Sequence, residues 1–334
     1  MPAMYESAQV GKRQEILDKI FNVEAAETPF LSYLPVGPVP NQLLASWVGE
    51  VYPDVASTGI LDGTAATTPT KVDRHLLQGT GQHFRREWGV TTLANLTNVA
   101  GAVRNEAGHQ MAKAMLLLKR MMEQQFLSGD DCAIESGGTP WTVRGVFEWL
   151  MDTAQAVLPV PSAMRPAAAN FYVGAFASLT QELFRTALNS AYGDRKAKLS
   201  LDGFVGLTLK ALIDDWTNVY PVASTSSQPR MTYVQQDPSV LKNYVDELRF
   251  SVGNARLHIS SFLFRATATG AEHVNSGKNG VFIDRSMWQV GYMQKPANTN
   301  LPPDGSGKKG FVDAVAILKC LNPLGQVKIE VSDS

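Results

Sequence analysis

Five histidines, two cysteines and a few paired charges are the residues of this chain that could carry chemistry, and their spacing gathers none of them into a site. His75, His83, His109, His258 and His273 fall in no His-x-x-x-His frame, and Cys132 and Cys320 form no Cys-x-x-Cys half-site, so no metal set is predicted. A solvated or hydrogen-bonded imidazole is expected at each histidine. A Gly-x-Ser-x-Gly nucleophile elbow is absent from the sequence. Gly79-Thr80-Gly81-Gln82-His83-Phe84 opens like a dinucleotide fingerprint, but it lacks the third glycine and leads into a strand pattern rather than a helix. Ser276-Gly277-Lys278-Asn279 is similar to the end of a phosphate-binding loop, yet Glu272 stands where the first glycine is required and Asn279 where Ser or Thr is.

The paired charges fare no better. Asp214 and Asp215 are neighbours on a helical pattern and point apart, so they make no acid–base dyad and are expected at a solvated helix end. Arg85 and Arg86 alternate across a strand, so with Lys308-Lys309 they trace no groove for nucleic acid. Asn95-Leu96-Thr97 has the form of a glycosylation sequon, but no basic region followed by an apolar run precedes it to signal secretion. No catalytic, cofactor-binding or metal-binding residue is assigned, no cofactor is implied, and the chain is not read as an enzyme.

The elements around these residues are more legible. The clearest is a helix over Val99–Leu127, with Asn98 as its N-cap and Gly129 as its C′ glycine. Val103, Ala107, Met111, Ala114, Leu118 and Met121 form its apolar ladder, flanked by Met115, Met122 and Phe126. Ahead of it, Leu43–Tyr52 and Val72–Leu93 alternate as strands around a Gly/Thr/Ala/Pro-rich stretch, which predicts a long two-stranded tongue. A ribbon of that kind is marginal alone and wants a partner surface. Residues 1–42 resemble an arm: Arg13–Phe21 is amphipathic, and Pro29, Pro35, Pro38 and Pro40 suit a segment lying over another surface better than a core element.

Beyond Pro159, Pro161 and Pro166 a mixed α+β lobe is predicted. It holds a helix from Leu179 to Ala191 ended by Gly193, a second over Leu207–Trp216, and strands at Met231–Gln235, Val245–Val252 and Arg256–Phe264. Two strands, Phe282–Met293 and Val312–Leu321, joined by a Gly/Pro/Lys loop over 295–310, close the chain.

With 334 residues there is ample chain for two lobes, and charged residues are only 18% of it, below the roughly 25% of an average domain. A subunit that buries much of its outside against neighbours would have such a composition, and so would one whose Ala-, Thr- and Gly-rich loops dilute the charge. The net charge of −1 excludes the global basicity of a non-specific nucleic-acid binder. No window approaches the ~20 uninterrupted apolar residues of a membrane span. Two cysteines are too few for a disulfide framework, so free thiols in a reducing compartment are expected.

The order of arm, tongue, long helix, α+β lobe and closing strand pair resembles the Hong Kong 97 capsid fold of tailed-phage major capsid proteins. Ala26-Glu27-Thr28-Pro29-Phe30-Leu31-Ser32 is similar to the arm motif of one branch of that family, and the run from Gly310-Phe311-Val312-Asp313 through Asn322-Pro323 to Ile329 is similar to that branch's ending. The resemblance implies an N-terminal arm over 1–42, an E-loop over 43–93, and a P-domain with its spine helix over 94–154. It further implies an A-domain over 155–284, a P-domain strand pair over 285–323, and a C-terminal strand returning to the A-domain over 324–334. It implies a structural head protein whose hexamers and pentamers make an icosahedral shell around phage DNA, assembled in the host cytoplasm and carried in the virion capsid. Separate scaffolding, portal and decoration proteins are the further partners implied; no membrane is. Only an arm precedes the tongue, where many relatives carry a fused scaffolding segment removed during maturation, so either a separate scaffold or an already trimmed chain is expected, and Met1 favours the separate scaffold. An encapsulin-type compartment shell protein, which shares the fold, and an α+β ligand-binding protein or enzyme are the alternatives.

Overall fold

The computed structural model describes residues 28–52, 59, 61–65, 71–96, 105–216, 245–263, 277–302, 305 and 307–331. In chain order, the first elements are α1 (Pro29–Tyr33), β1 (Leu44–Glu50), β2 (Arg74–Val90), α2 (Thr92–Leu96), α3 (Glu106–Phe126) and α4 (Val146–Trp149). They are followed by β3 (Phe171–Gly174), α5 (Gln181–Arg195), β4 (Leu199–Val205), α6 (Leu207–Trp216), β5 (Glu247–Phe250) and β6 (Gly253–Ile259). The last are β7 (Gly280–Ile283), β8 (Trp288–Asn300), β9 (Lys308–Cys320) and β10 (Val327–Val331).

The strands make two sheets. One is four-stranded and antiparallel, in the order β1-β2-β9-β8. The other is six-stranded and mixed, in the order β3-β10-β7-β4-β6-β5, with β10 parallel to β3 and β4 parallel to β6. β4 is buried at every position but Ser200, as a central strand covered on both faces must be. α5 covers one face of this sheet, its Phe184 ring 5.0 Å from that of Phe282.

α3 lies against the four-stranded sheet, where Ala107, Ala114, Leu118, Met122 and Phe126 are buried. The Phe126 ring meets Phe84 of β2 edge-on at 6.1 Å, a favoured aromatic geometry. Leu118 at the centre of the ladder is fully buried, as its spacing predicts, but Met121 is not part of that face. Three residues on from Leu118 the helix is about 60° short of a full turn, and Met122, one residue further, takes the core position. The predicted caps shift as well. Asn105 accepts the Gly108 N–H at 3.2 Å and is the N-cap, while Asn98 lies outside the described residues. Leu127 closes the C-terminus, so the C′ position falls on Ser128 and not on Gly129.

Other boundaries differ for identifiable reasons. α5 runs through Gly193 to Arg195, and Lys196 takes the left-handed conformation (φ 53°), its N–H bonded to the Tyr192 carbonyl. α6 has the bounds its pattern predicts. The run Phe282–Met293 is not one strand. Asp284 accepts the Ser286 N–H at 2.9 Å and the Ser286 hydroxyl at 2.7 Å, closing a 3-10 turn over Arg285–Met287. That turn sends β7 into one sheet and β8 into the other. The loop expected over 295–310 is mostly ladder, because β8 and β9 pair as far as Asn300 and Gly310. The run from Val245 to Leu263 holds a tight antiparallel pair, β5 and β6, that leaves the sheet at Ser260, and Phe264, the expected end of the second strand, lies outside the described residues. The strand expected at Met231–Gln235 and the amphipathic Arg13–Phe21 lie outside the described residues.

The expected two-stranded tongue is shorter than its pattern. Only residues 44–50 and 74–80 pair as a ribbon; from Gly81 to Val90, β2 pairs instead with β9 inside the four-stranded sheet. Gly79 and Gly81 sit at that handover. A Cβ on Gly79 would come within 3.2 Å of Trp47 and 3.4 Å of Trp149, and one on Gly81 within 2.9 Å of Ile317. Close packing, not phosphate binding, accounts for the Gly-Thr-Gly pattern.

Candidate functional site

The residues singled out for chemistry are spread over the molecule. His75 and His83 lie on β2, and His109 on α3. His83 Nε2 is 3.1 Å from the Asp313 carboxylate, which also accepts the Gln294 side-chain amide at 3.0 Å. His258 stacks on Phe204 with ring centroids 5.3 Å apart and lies 3.6 Å from Asp202; His273 lies outside the described residues. Among the described residues no three His, Cys, Asp or Glu side chains come together as a metal site would require. Cys132 and Cys320 are free and buried. Burial pushes the Cys132 thiol up to about 11 and raises that of Cys320, the opposite of an activated nucleophile.

Asp214 is no solvated helix end. It pairs with Lys210 at 2.6 Å and accepts the Val245 N–H at 2.8 Å, which fixes where the chain returns toward β5. Asn279, in the loop-like Ser-Gly-Lys-Asn run, is fully buried and its side-chain oxygen accepts the Val331 N–H at 2.9 Å. It ties the end of β10 to the start of β7.

What the structure does assemble is a junction around residues 28–37. Pro29 opens α1 at a position that needs no N–H donor. The next two amides, which a helix start leaves without partners, are both taken by Glu123 of α3. Phe30 N–H donates to Oε1 at 2.8 Å and Leu31 N–H to Oε2 at 2.6 Å. Glu123 is fully buried. Burial pushes its carboxyl up to about 7 against the pull of those two amides.

The Phe30 side chain, also fully buried, meets Phe204 of β4 edge-on at 5.1 Å. Tyr33 lies 5.8 Å from Phe204 and 5.3 Å from His258, with the Arg285 guanidinium 4.6 Å above its ring. Burial and then the Asp202 hydrogen bond push the Tyr33 hydroxyl up to about 12. Past the turn, Val290 N–H donates to Pro35 O at 3.0 Å and Gly37 N–H to Val290 O at 2.9 Å. One short segment thus touches α3, the six-stranded sheet and β8 of the four-stranded sheet. For residues 28–37 this corrects the expectation of an arm lying on another surface, because Phe30 and Leu34 are core.

Glu123 was not singled out from the sequence. The signal was present: 112, 116, 119 and 123 form a stripe beside the apolar ladder, and a glutamate there faces whatever covers the helix.

A buried charge network braces the same region from behind. Arg144 is fully buried, with Nε 2.8 Å from Asp131 Oδ1. It donates through Nη2 to Leu158 O at 3.1 Å and to Val157 O, with the guanidinium 4.8 Å above the Trp149 ring. Lys328 of β10 reaches Phe147 O at 3.2 Å and Glu330 at 3.1 Å. Glu148, half-buried beside them, is pushed up to about 7 by burial and then by Asp131.

The ribbon is anchored at its base and bare on its outer face. Trp47 donates through Nε1 to Cys320 O at 2.9 Å and packs 5.7 Å from Trp149, and Leu77 is buried. On the other face Val48 and Leu76 are cross-strand partners and are 59% and 52% exposed. Tyr52 and Leu61, further toward the tip, are exposed as well.

A family model described as SU10 major capsid protein matches residues 4–332. No curated protein matches the chain. Among solved structures, the capsid of cyanophage P-SCSP1u superposes with a TM-score of 0.60 at 13% identity, covering 96% of this chain and 93% of that one. The capsid of a native GTA particle superposes at 0.58 with 7% identity, covering 98% of each. A structure from Mycobacterium phage Ogopogo superposes at 0.57 with 13% identity, covering 99% of this chain and all of that one. The arrangement of two sheets, long helix and ribbon is therefore the Hong Kong 97 type of capsid fold.

Proposed function

The chain belongs to the SU10 major capsid protein family and is a structural shell protein of a phage, part of the virion; from that premise we propose that its copies assemble as hexamers and pentamers into a closed icosahedral shell around packaged DNA. In this reading α3 and the four-stranded sheet are the P-domain with its spine helix, and the six-stranded sheet with α5 and α6 is the A-domain. The ribbon is the base of an E-loop that overlaps a neighbouring subunit. Assembly takes place in the host cytoplasm with separate scaffolding, portal and decoration proteins, and the subunit performs no catalysis of its own.

The observation that carries the reading is the Val48–Leu76 pair: two apolar side chains in register, more than half exposed, on a ribbon whose other face is fixed by Trp47 and Leu77. Exposed apolar side chains that are neighbours across a strand pair, continued by Tyr52 and Leu61, suit a contact between chains, and a neighbouring copy of the subunit would bury them. Mass photometry and electron microscopy of the expressed full chain, with a scaffold where needed, should show capsomers or shells. Val48→Asp with Leu76→Asp should leave a folded subunit that does not close shells. A wild-type chain that stays monomeric under every such condition would overturn the reading, as would normal shells from the double variant for the role of the ribbon.

A further inference from the structure

We infer that the groove between α1 and α3 is the seat of this chain's own residues 13–21, docked on the subunit that carries them. The groove has a volume of about 550 Å3. One wall is Thr28, Pro29 and Ser32; the floor is Ala112, Met115, Leu116 and Lys119 of α3. Those four floor positions follow the i, i+3, i+4, i+7 spacing of a single helix face. α3 therefore carries a second stripe beside the one buried in the core, and here Ala112 is exposed while Met115 and Leu116 are only half-buried. A second amphipathic helix packs on a stripe of this spacing. The small Ala112 admits close approach, and Met115 can adapt its shape to the occupant.

Residues 13–21 are singled out by where the chain leaves the groove. Thr28 is part of the wall, and only residues 22–27 separate it from Phe21. Six residues reach at most about 20 Å, which holds the segment at an effective concentration on the order of millimolar. Ile16, Leu17, Ile20 and Phe21 fall on one side at helical spacing, with the stem of Arg13 at the start of that face, Gln14 at its edge, and Glu15, Asp18 and Lys19 on the other side. Nine helical residues are about 13 Å long, and the floor from Ala112 to Lys119 runs about 10 Å, so the lengths match. A helix this short is marginal in water without a surface to pack on. The connecting residues include Glu24 and Glu27, opposite in charge to Lys119 on the floor.

The seat is independent of how subunits meet, so its test does not require shells. Ile20→Cys and Leu116→Cys together in the full chain, treated with a short bis-maleimide, should give an intrachain bridge, seen as monomers with linked peptides 13–21 and 112–119. Cys132 and Cys320 are buried and should stay silent. A bridge between two chains would place the segment on a neighbour and overturn the inference, and so would no bridge at all. Leu116→Cys alone should react with maleimide roughly tenfold faster once residues 1–21 are deleted, with circular dichroism confirming the fold; an unchanged rate would also overturn it. Failure of shell assembly alongside a clear intrachain bridge would count against the proposed function and leave this inference standing.

Discussion

The Glu123 carboxylate accepts the backbone N–H of Phe30 at 2.8 Å across 93 positions of sequence. With the second bond to Leu31, it fastens α1 to the long helix, and the Phe30 ring fastens α1 in turn to the six-stranded sheet. The two sheets share one core through this segment, since Phe30, Leu34, Phe204, Val281 and Val290 belong to the same cluster.

Glu123→Leu should therefore destabilise the subunit although it adds apolar surface. It leaves two amides without acceptors, each costing about 1–3 kcal/mol where buried, so a loss of roughly 2–4 kcal/mol is expected in denaturant unfolding. Glu123→Gln retains one acceptor oxygen and should cost less. Equal stability of Glu123→Leu and wild type would show that the two bonds contribute nothing.

The same group sets a pH dependence. Burial raises Glu123 and Glu148 from the ordinary glutamate value to about 7, so both ionise less readily folded than unfolded. Their contribution to stability is complete below the unfolded value near 4.5 and is lost as pH rises through about 7. Around Glu148, Asp131 and Glu330 add to the upward shift while Arg144 and Lys328 oppose it. Denaturant midpoints between pH 5 and 8 should fall with rising pH, and Glu123→Gln with Glu148→Gln should flatten the slope. A slope unchanged in the double variant would exclude both groups as its source.

Leu118→Asp places a charge at a fully buried position and should cost several kcal/mol, enough to prevent soluble folding. Lys113 is exposed on the opposite face, and Lys113→Asp should leave the melting temperature nearly unchanged. The reverse pattern in soluble yield and melting would mean that the buried face of α3 is misassigned.

Cys132 and Cys320 should resist thiol reagents in the native protein, being buried with raised thiols. Both should label after unfolding without reductant. A linked pair found by mass spectrometry would contradict the free thiols.

How far the sequence disclosed this follows from which interactions are local. The α3 face and both bounds of α6 were legible because their periodicity is written in adjacent turns. The α3 N-cap was not, because Asn98 and Asn105 are both plausible cap residues in the sequence and the bond that identifies Asn105, from the Gly108 N–H, forms only in the folded chain. The break at Asp284 was hidden in an apolar run, since both flanking segments are strands and only their sheets differ. Glu123 was missed because its partners lie far away in sequence, and the junction at residues 28–37 because its prolines suggested an arm while one of them merely opens a helical turn. The arrangement of charges at Arg144 and Lys328 depends on contacts that no spacing rule records.

The last prediction concerns residues 54–70, at the tip of the ribbon. This stretch consists mainly of Ala, Thr, Gly, Pro and Asp, with only Val55, Ile60 and Leu61 as large apolar residues, and Leu61 is 84% exposed. The contacts that hold the ribbon lie at its base: Trp47 on Cys320 and Trp149, and Leu77 in the core. Replacing Asp54–Thr70 with a short Gly-containing turn leaves all of these in place. It also removes about seventeen residues whose backbone ordering costs roughly 1–2 kcal/mol each. Circular dichroism and thermal melting of the variant subunit should therefore match wild type within a few degrees. Electron microscopy should show that the same variant fails to close shells, because the overlap between neighbouring subunits is gone. Normal shells from the variant would refute the role of the tip in assembly, and an unfolded subunit would place it in the core of its own chain.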